Sequence, residues 1–170
     1  MDNRTRVITR GAVLLALTVV FQYAARALPT GQLGFLAVSS LFTAAAVIEG
    51  GHLTGLLVYI GGAALGALLA NGTPVIWLYA LFFGYYPIVK SLAERVKRRT
   101  AALAWAIKLA VFNAAVTAVY YLVTFAILGL RFNAIVVYLA GNAAFALYDL
   151  GLSKLIGVYI TRISKNIRKK

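Results

Sequence analysis

Long, continuous apolar runs organise this chain. Six of them cover about residues 11–28, 33–48, 53–70, 75–89, 101–128 and 134–160. The breaks between them are short. They are Pro29-Thr30-Gly31, Glu49-Gly50-Gly51-His52, Asn71-Gly72-Thr73-Pro74, a basic stretch over 90–100, and a turn over 129–133. A helix crosses the hydrocarbon core of a bilayer with roughly 20 mostly apolar residues, and these runs approach or exceed that length. A membrane strand would instead alternate apolar and polar positions over about ten residues. The runs are also rich in Ala, Leu and Gly, residues that let membrane helices pack closely. The pattern predicts an all-α, polytopic membrane protein: one integral domain over 1–170 with six transmembrane helices.

Charge gives this layout an orientation. Of 17 Lys and Arg residues, 13 fall in three places. Arg4, Arg6 and Arg10 precede the first run. Lys90, Arg95, Lys97, Arg98 and Arg99 follow the fourth, and Arg162, Lys165, Arg168, Lys169 and Lys170 end the chain. Loops that stay in the cytoplasm carry an excess of Lys and Arg, so both termini and the 90–100 segment are expected inside. Only an even number of crossings achieves that. The first run resembles a signal peptide in its basic start. It carries Gln22 and Arg26 and further runs follow it, so it is read as a retained helix. The formal charge of +13 does not point to nucleic acid, because the basic residues flank hydrophobic runs and do not line one polar face.

The inventory of reactive side chains is sparse: no Cys, one His and four carboxylates. No nucleophile–base set, zinc-protease motif, P-loop or dinucleotide fingerprint occurs, so no enzyme, metal site or cofactor is expected. Asp149 stands out, since an ionisable group inside a membrane run is expensive to bury. It lies roughly 16 Å from the end of the sixth run, counted at the helical rise. Lys108, about seven residues into the fifth run, enters from the same side to similar depth. The two are expected to form a structural ion pair, with Lys90 and Lys154 as alternative cations.

Other polar and aromatic residues gather toward the outer side. Candidate ligand contacts there are Gln22, Trp77, Tyr121, Arg131, Asn133 and Asn142, which would give a pocket aromatic walls and a few polar anchors. An interfacial aromatic belt accounts for Trp77 and some tyrosines, but not for Gln22 or Asn142. The third run carries Gly55, Gly61, Gly62 and Gly66, read as a surface for close helix packing. Pro87, with Gly84 before it, is expected to break the ladder of the fourth run near its inner end.

The first run opens Arg10-Gly11-Ala12-Val13-Leu14-Leu15-Ala16-Leu17. Ala12 and Ala16, one turn apart, are similar to the Ala-x-x-x-Ala element of the substrate-binding S components of energy-coupling factor (ECF) vitamin transporters. The size, six runs and glycine-rich third run resemble that family as well. The resemblance implies a subunit of the bacterial cell membrane that captures a vitamin-like small molecule from outside. It implies a membrane coupling subunit and two cytosolic ATPases as partners. Ala12 and Ala16 would then be docking residues, and Arg131 would suit a carboxylate or phosphate on the ligand. Two other readings stand beside it. One is a structural membrane scaffold of the MreD kind; the other is a small stand-alone secondary carrier using Asp149 and Lys108.

Overall fold

A computed structural model describes residues 3–28, 30–70, 77–97, 100–122, 124 and 133–164. The described residues are helical almost throughout, with no strand among them. Helix α1 spans Asn3–Ala27 and α2 spans Gln32–Ala70. A π-helical turn, Tyr79–Phe83, leads to α3 at Tyr86–Lys97. Helix α4 is Ala101–Tyr121 and α5 is Ala134–Val158, continued by a π-helical segment at Tyr159–Ser164. Among the described residues, four stretches are long and apolar enough to cross a membrane: Arg4–Ala27, Gln32–Leu69, Ala101–Tyr121 and Ala134–Arg162. This is the helix content of a multi-pass membrane protein.

The chain divides into two units, one of residues 1–88 with 152–170 and one of 89–151. In the first unit, α2 folds back on itself. Gly51 takes φ 83° and ψ −179°, a conformation open essentially to glycine alone. A Cβ on Gly55 would run into the side chain of Val47, eight residues earlier. A continuous helix would hold those positions about 12 Å apart. The first arm of α2 runs antiparallel to α1: Phe21 packs on Phe35 and Phe42, and Arg10 meets Glu49. The second arm runs parallel to α1. Gly11 approaches Thr54, Gly61 approaches Leu15, and Arg26 donates to the carbonyl of Leu69. The chain thus reverses between Ala27 and Gln32 and again at Gly51, at two of the expected breaks; Pro29 itself lies outside the described residues.

The segment after residue 76 departs from the sequence reading. The fourth run was expected to cross as one helix to 89 and give way to a basic loop. Instead the helix is interrupted at Gly84-Tyr85 and resumes over Tyr86–Lys97, so most of the expected loop is helical. Pro87 has no N–H to offer. The backbone accommodates it with a wide turn, Gly84 N–H to Tyr79 O at 2.8 Å, and a tight one, Ile88 N–H to Tyr85 O at 3.0 Å. Pro87 then sits in the first turn of α3, where its missing donor costs least. Gly84 is needed for a second reason: a Cβ there would stand 2.5 Å from the Tyr59 ring. That ring donates its hydroxyl to the carbonyl of Ala80 at 2.9 Å.

In the second unit, α4 and α5 lie antiparallel. Lys108 meets Asp149, Phe112 stacks on Phe145 with centroids 4.5 Å apart, and Thr117 meets Tyr138.

Candidate functional site

Three groups of buried polar side chains stand out, each inside one unit. The first surrounds Gln22 on α1. Thr18, one turn earlier, returns its hydroxyl to the carbonyl of Leu14 at 2.8 Å. Tyr79, wholly buried, lies 3.4 Å from the hydroxyl of Thr43 on the first arm of α2. Gly62 on the second arm lets these groups converge. A Cβ at that position would lie 2.8 Å from the Tyr79 hydroxyl, 3.0 Å from Thr18 Cγ2 and 3.3 Å from Gln22 Nε2. Gln22 is 5% exposed, and neither Oε1 nor Nε2 has a hydrogen-bond partner among the described residues. Such an amide costs roughly 1–3 kcal/mol for each group left unsatisfied. The side chain borders a small cavity of about 10 Å³ together with Val19, Tyr23, Arg26, Gly66 and Leu69. That is room for about one water or one small polar group.

The second group is ionic and belongs to the unit of 89–151. Lys108 Nζ lies 3.0 Å from Asp149 Oδ2. Lys90 makes a still closer pair with Asp149 Oδ1, and its side chain is only 2% exposed. Glu94, one turn after Lys90 on α3, lies 3.1 Å from Lys90 Nζ and 3.7 Å from Lys108 Nζ. Two ammonium groups and two carboxylates therefore form one network of zero net charge. Lys90, placed at the start of the basic stretch and named as an alternative cation for Asp149, is a buried partner of that carboxylate together with Lys108. Its helical signal is the row Tyr86, Lys90, Ala93, all buried and spaced for one face of a helix. Lys154 is exposed on α5.

The third group clasps α4 to α5. Asn113 and Asn142 exchange amide hydrogen bonds at 3.1 and 3.0 Å. Their amide nitrogens also donate to Leu109 O and Tyr138 O, each at 2.8 Å. One turn on, the hydroxyls of Thr117 and Tyr138 are 2.6 Å apart. Asn142, expected to contact ligand, thus spends its amide on the helix pair. Asn133 is engaged as well: its Oδ1 accepts from the N–H of Ile135 at 3.0 Å, as an N-cap does.

The expected contact residues divide between the two units. Gln22 and Trp77 belong to the first unit; Tyr121, Asn133 and Asn142 belong to the second. Trp77 and Tyr121 are exposed. Arg131 lies outside the described residues. Ala12 and Ala16 are both exposed on α1. Sequence reading did not single out Asn113, Thr117 or Glu94. The i, i+4 spacing of Asn113 and Thr117 inside an apolar run was the available signal. No group of His, Cys, Asp and Glu suited to a metal ion occurs among the described residues.

Comparison with family models, curated proteins and solved structures finds no match to this chain.

Proposed function

We propose that this protein is a membrane-embedded substrate-binding subunit of an ECF-type importer. It crosses the bilayer six times with both termini in the cytoplasm, and captures a vitamin-like small molecule for uptake powered by partner subunits. The observation that carries the reading is Gln22. A buried amide whose two polar atoms have no partner among the described residues, beside the Tyr79 hydroxyl and over a glycine, is a recognition group held ready at a stability cost. Small-molecule sites join such isolated polar anchors to apolar and aromatic walls. The exposed, small-residue face at Ala12 and Ala16 supports docking on a coupling subunit, since small residues let another helix approach closely. This reading moves the ligand anchor toward Gln22 and away from Asn133 and Asn142, which are spent on structure.

The ionic network favours a structural lock over the stand-alone carrier. A coupling carboxylate has to exchange its partner during a cycle, whereas Asp149 is held by two lysines at once. The test is a mild-detergent pull-down of the tagged protein from its native membrane, with mass spectrometry of proteins and small molecules. Recovery of a membrane coupling subunit, two ATPases and a metabolite is the expected result. Recovery of envelope-assembly proteins without a ligand would sink the reading in favour of a scaffold. Recovery of the chain alone would move the carrier to the front. Bulky residues at Ala12 and Ala16 are expected to block uptake while sparing ligand binding in detergent.

A further inference from the structure

A second polar site lies 12 residues from Gln22 along α1, about 18 Å away at the helical rise. Arg10 Nη1 donates to Glu49 Oε2 at 2.8 Å. The Glu49 side chain is 3% exposed, and its second oxygen, Oε1, is buried with no hydrogen-bond partner among the described residues. Beside the pair opens a cleft of about 190 Å³, lined by Thr9, Arg10, Val13, Leu14, Glu49 and Tyr159. All of these residues belong to the unit of 1–88 with 152–170.

We infer that this cleft binds the headgroup of a phospholipid carrying a primary ammonium, with the ammonium on Glu49 and the phosphate on Arg10. The chemistry of the pair selects the class. A buried carboxylate oxygen without a donor calls for an N–H, and an ammonium supplies one together with the opposite charge. An anion alone would be repelled by Glu49. A quaternary ammonium has no N–H to donate. The guanidinium of Arg10 matches the phosphate that a phospholipid carries beside its ammonium. The last torsion of Glu49 is broad and shallow, so the carboxylate can turn within its pair with Arg10 to meet an ammonium at the cleft.

The position selects a lipid over a soluble amine. Arg4, Arg6 and Arg10 end the polar flank of α1, and the apolar run begins at Gly11. The cleft therefore sits at the level where flank meets span, which is headgroup depth. From it the exposed side chains of Val13, Leu17 and Val20 continue along α1 as a surface for an acyl chain. This site does not depend on the transport reading, because none of its residues is assigned to substrate or docking.

The test uses the purified, delipidated full chain in detergent. It is exposed to mixed micelles holding equal amounts of phosphatidylethanolamine and phosphatidylcholine with the same acyl chains. Native mass spectrometry then counts the bound lipid. The expected result is retention of the ethanolamine lipid by about ten-fold over the choline lipid, the scale of one charge-assisted hydrogen bond. Glu49→Gln and Val13→Trp should each abolish that preference. Val13 is 55% exposed, so the bulky residue fills the cleft without entering the core, and it decides the matter if Glu49→Gln fails to fold. Equal retention of the two lipids by the wild type would overturn the proposal, as would a preference that survives Val13→Trp. Displacement of the lipid by butylammonium at equal concentration would show that the chain is not recognised, and would overturn it too.

Discussion

Changing Asp149 to Asn tests the ionic network most directly. The substitution keeps the shape and removes one charge, leaving two ammonium groups beside Glu94, whose side chain is 45% exposed. At 3.0 Å and an effective dielectric of about 20, one such pair attracts by about 5–6 kcal/mol. Most of that attraction offsets the desolvation of the charges, so the intact network contributes little net stability. Breaking it differs from lacking it: removing one partner of a buried pair costs about 3–5 kcal/mol, because the other charge is left uncompensated. Asp149→Asn should therefore destabilise by about 3–5 kcal/mol. At about 2–4 °C per kcal/mol for a chain of this size, the midpoint should fall by about 6–20 °C. Lys108→Met should cost less, about 1–3 kcal/mol, because Lys90 still holds Asp149 and Glu94 can turn to water. The combined Lys90→Met, Lys108→Met, Asp149→Leu protein should unfold within about 2 kcal/mol of the wild type, or above it. Thermal unfolding in mild detergent, followed by tryptophan fluorescence, reads this out. Trp105 is well placed as a reporter, with Lys108 Nζ 5.4 Å from its ring centroid. An Asp149→Asn protein within about 1 kcal/mol of wild type would rule out a tightly coupled buried network. So would Lys108→Met costing more than Asp149→Asn.

Four further substitutions give expected outcomes under the same assay. Gly51→Ala should lose about 1–3 kcal/mol, since the reversal of α2 needs a backbone conformation that a Cβ forbids. Gly62→Val should lose about 1–3 kcal/mol by driving a side chain into Tyr79, Thr18 and Gln22. Asn142→Leu should lose about 1–3 kcal/mol by stranding the Asn113 amide, and the double change Asn113→Leu, Asn142→Leu should recover most of it. Gln22→Leu should be neutral or stabilising by up to about 2 kcal/mol, because it deletes a buried amide with no partner among the described residues. The same change should abolish capture of the co-purifying metabolite; loss of stability with unchanged capture would remove Gln22 from the site.

What the sequence made legible follows from what hydropathy measures. An apolar run reports that a segment is removed from water, so the helices of α1, α4 and α5 and both arms of α2 could be read off the chain. Glycine reports where backbone has to bend or approach closely, and Glu49-Gly50-Gly51-His52 marked the reversal of α2. Hydropathy is blind to the residues it counts as exceptions. Lys90 lowers the score of its neighbourhood and stands next to a basic stretch, so composition assigns it to a loop. Burial of its ammonium is decided by Asp149, 59 residues later, and that partnership has no local trace beyond the Tyr86, Lys90, Ala93 spacing. Asn142 fails for the opposite reason. A buried amide in an apolar helix draws attention as a ligand contact, yet the facing helix supplies Asn113 at the matching level and satisfies it. Gln22 has the same residue chemistry in the same kind of helix but no such partner among the described residues. The difference between a clasp and a recognition group is therefore absent from either residue alone. It lies in whether the opposing helix returns the hydrogen bonds, and under the proposed function that makes the Gln22 amide, not the number of polar residues in the runs, the guide to a ligand site.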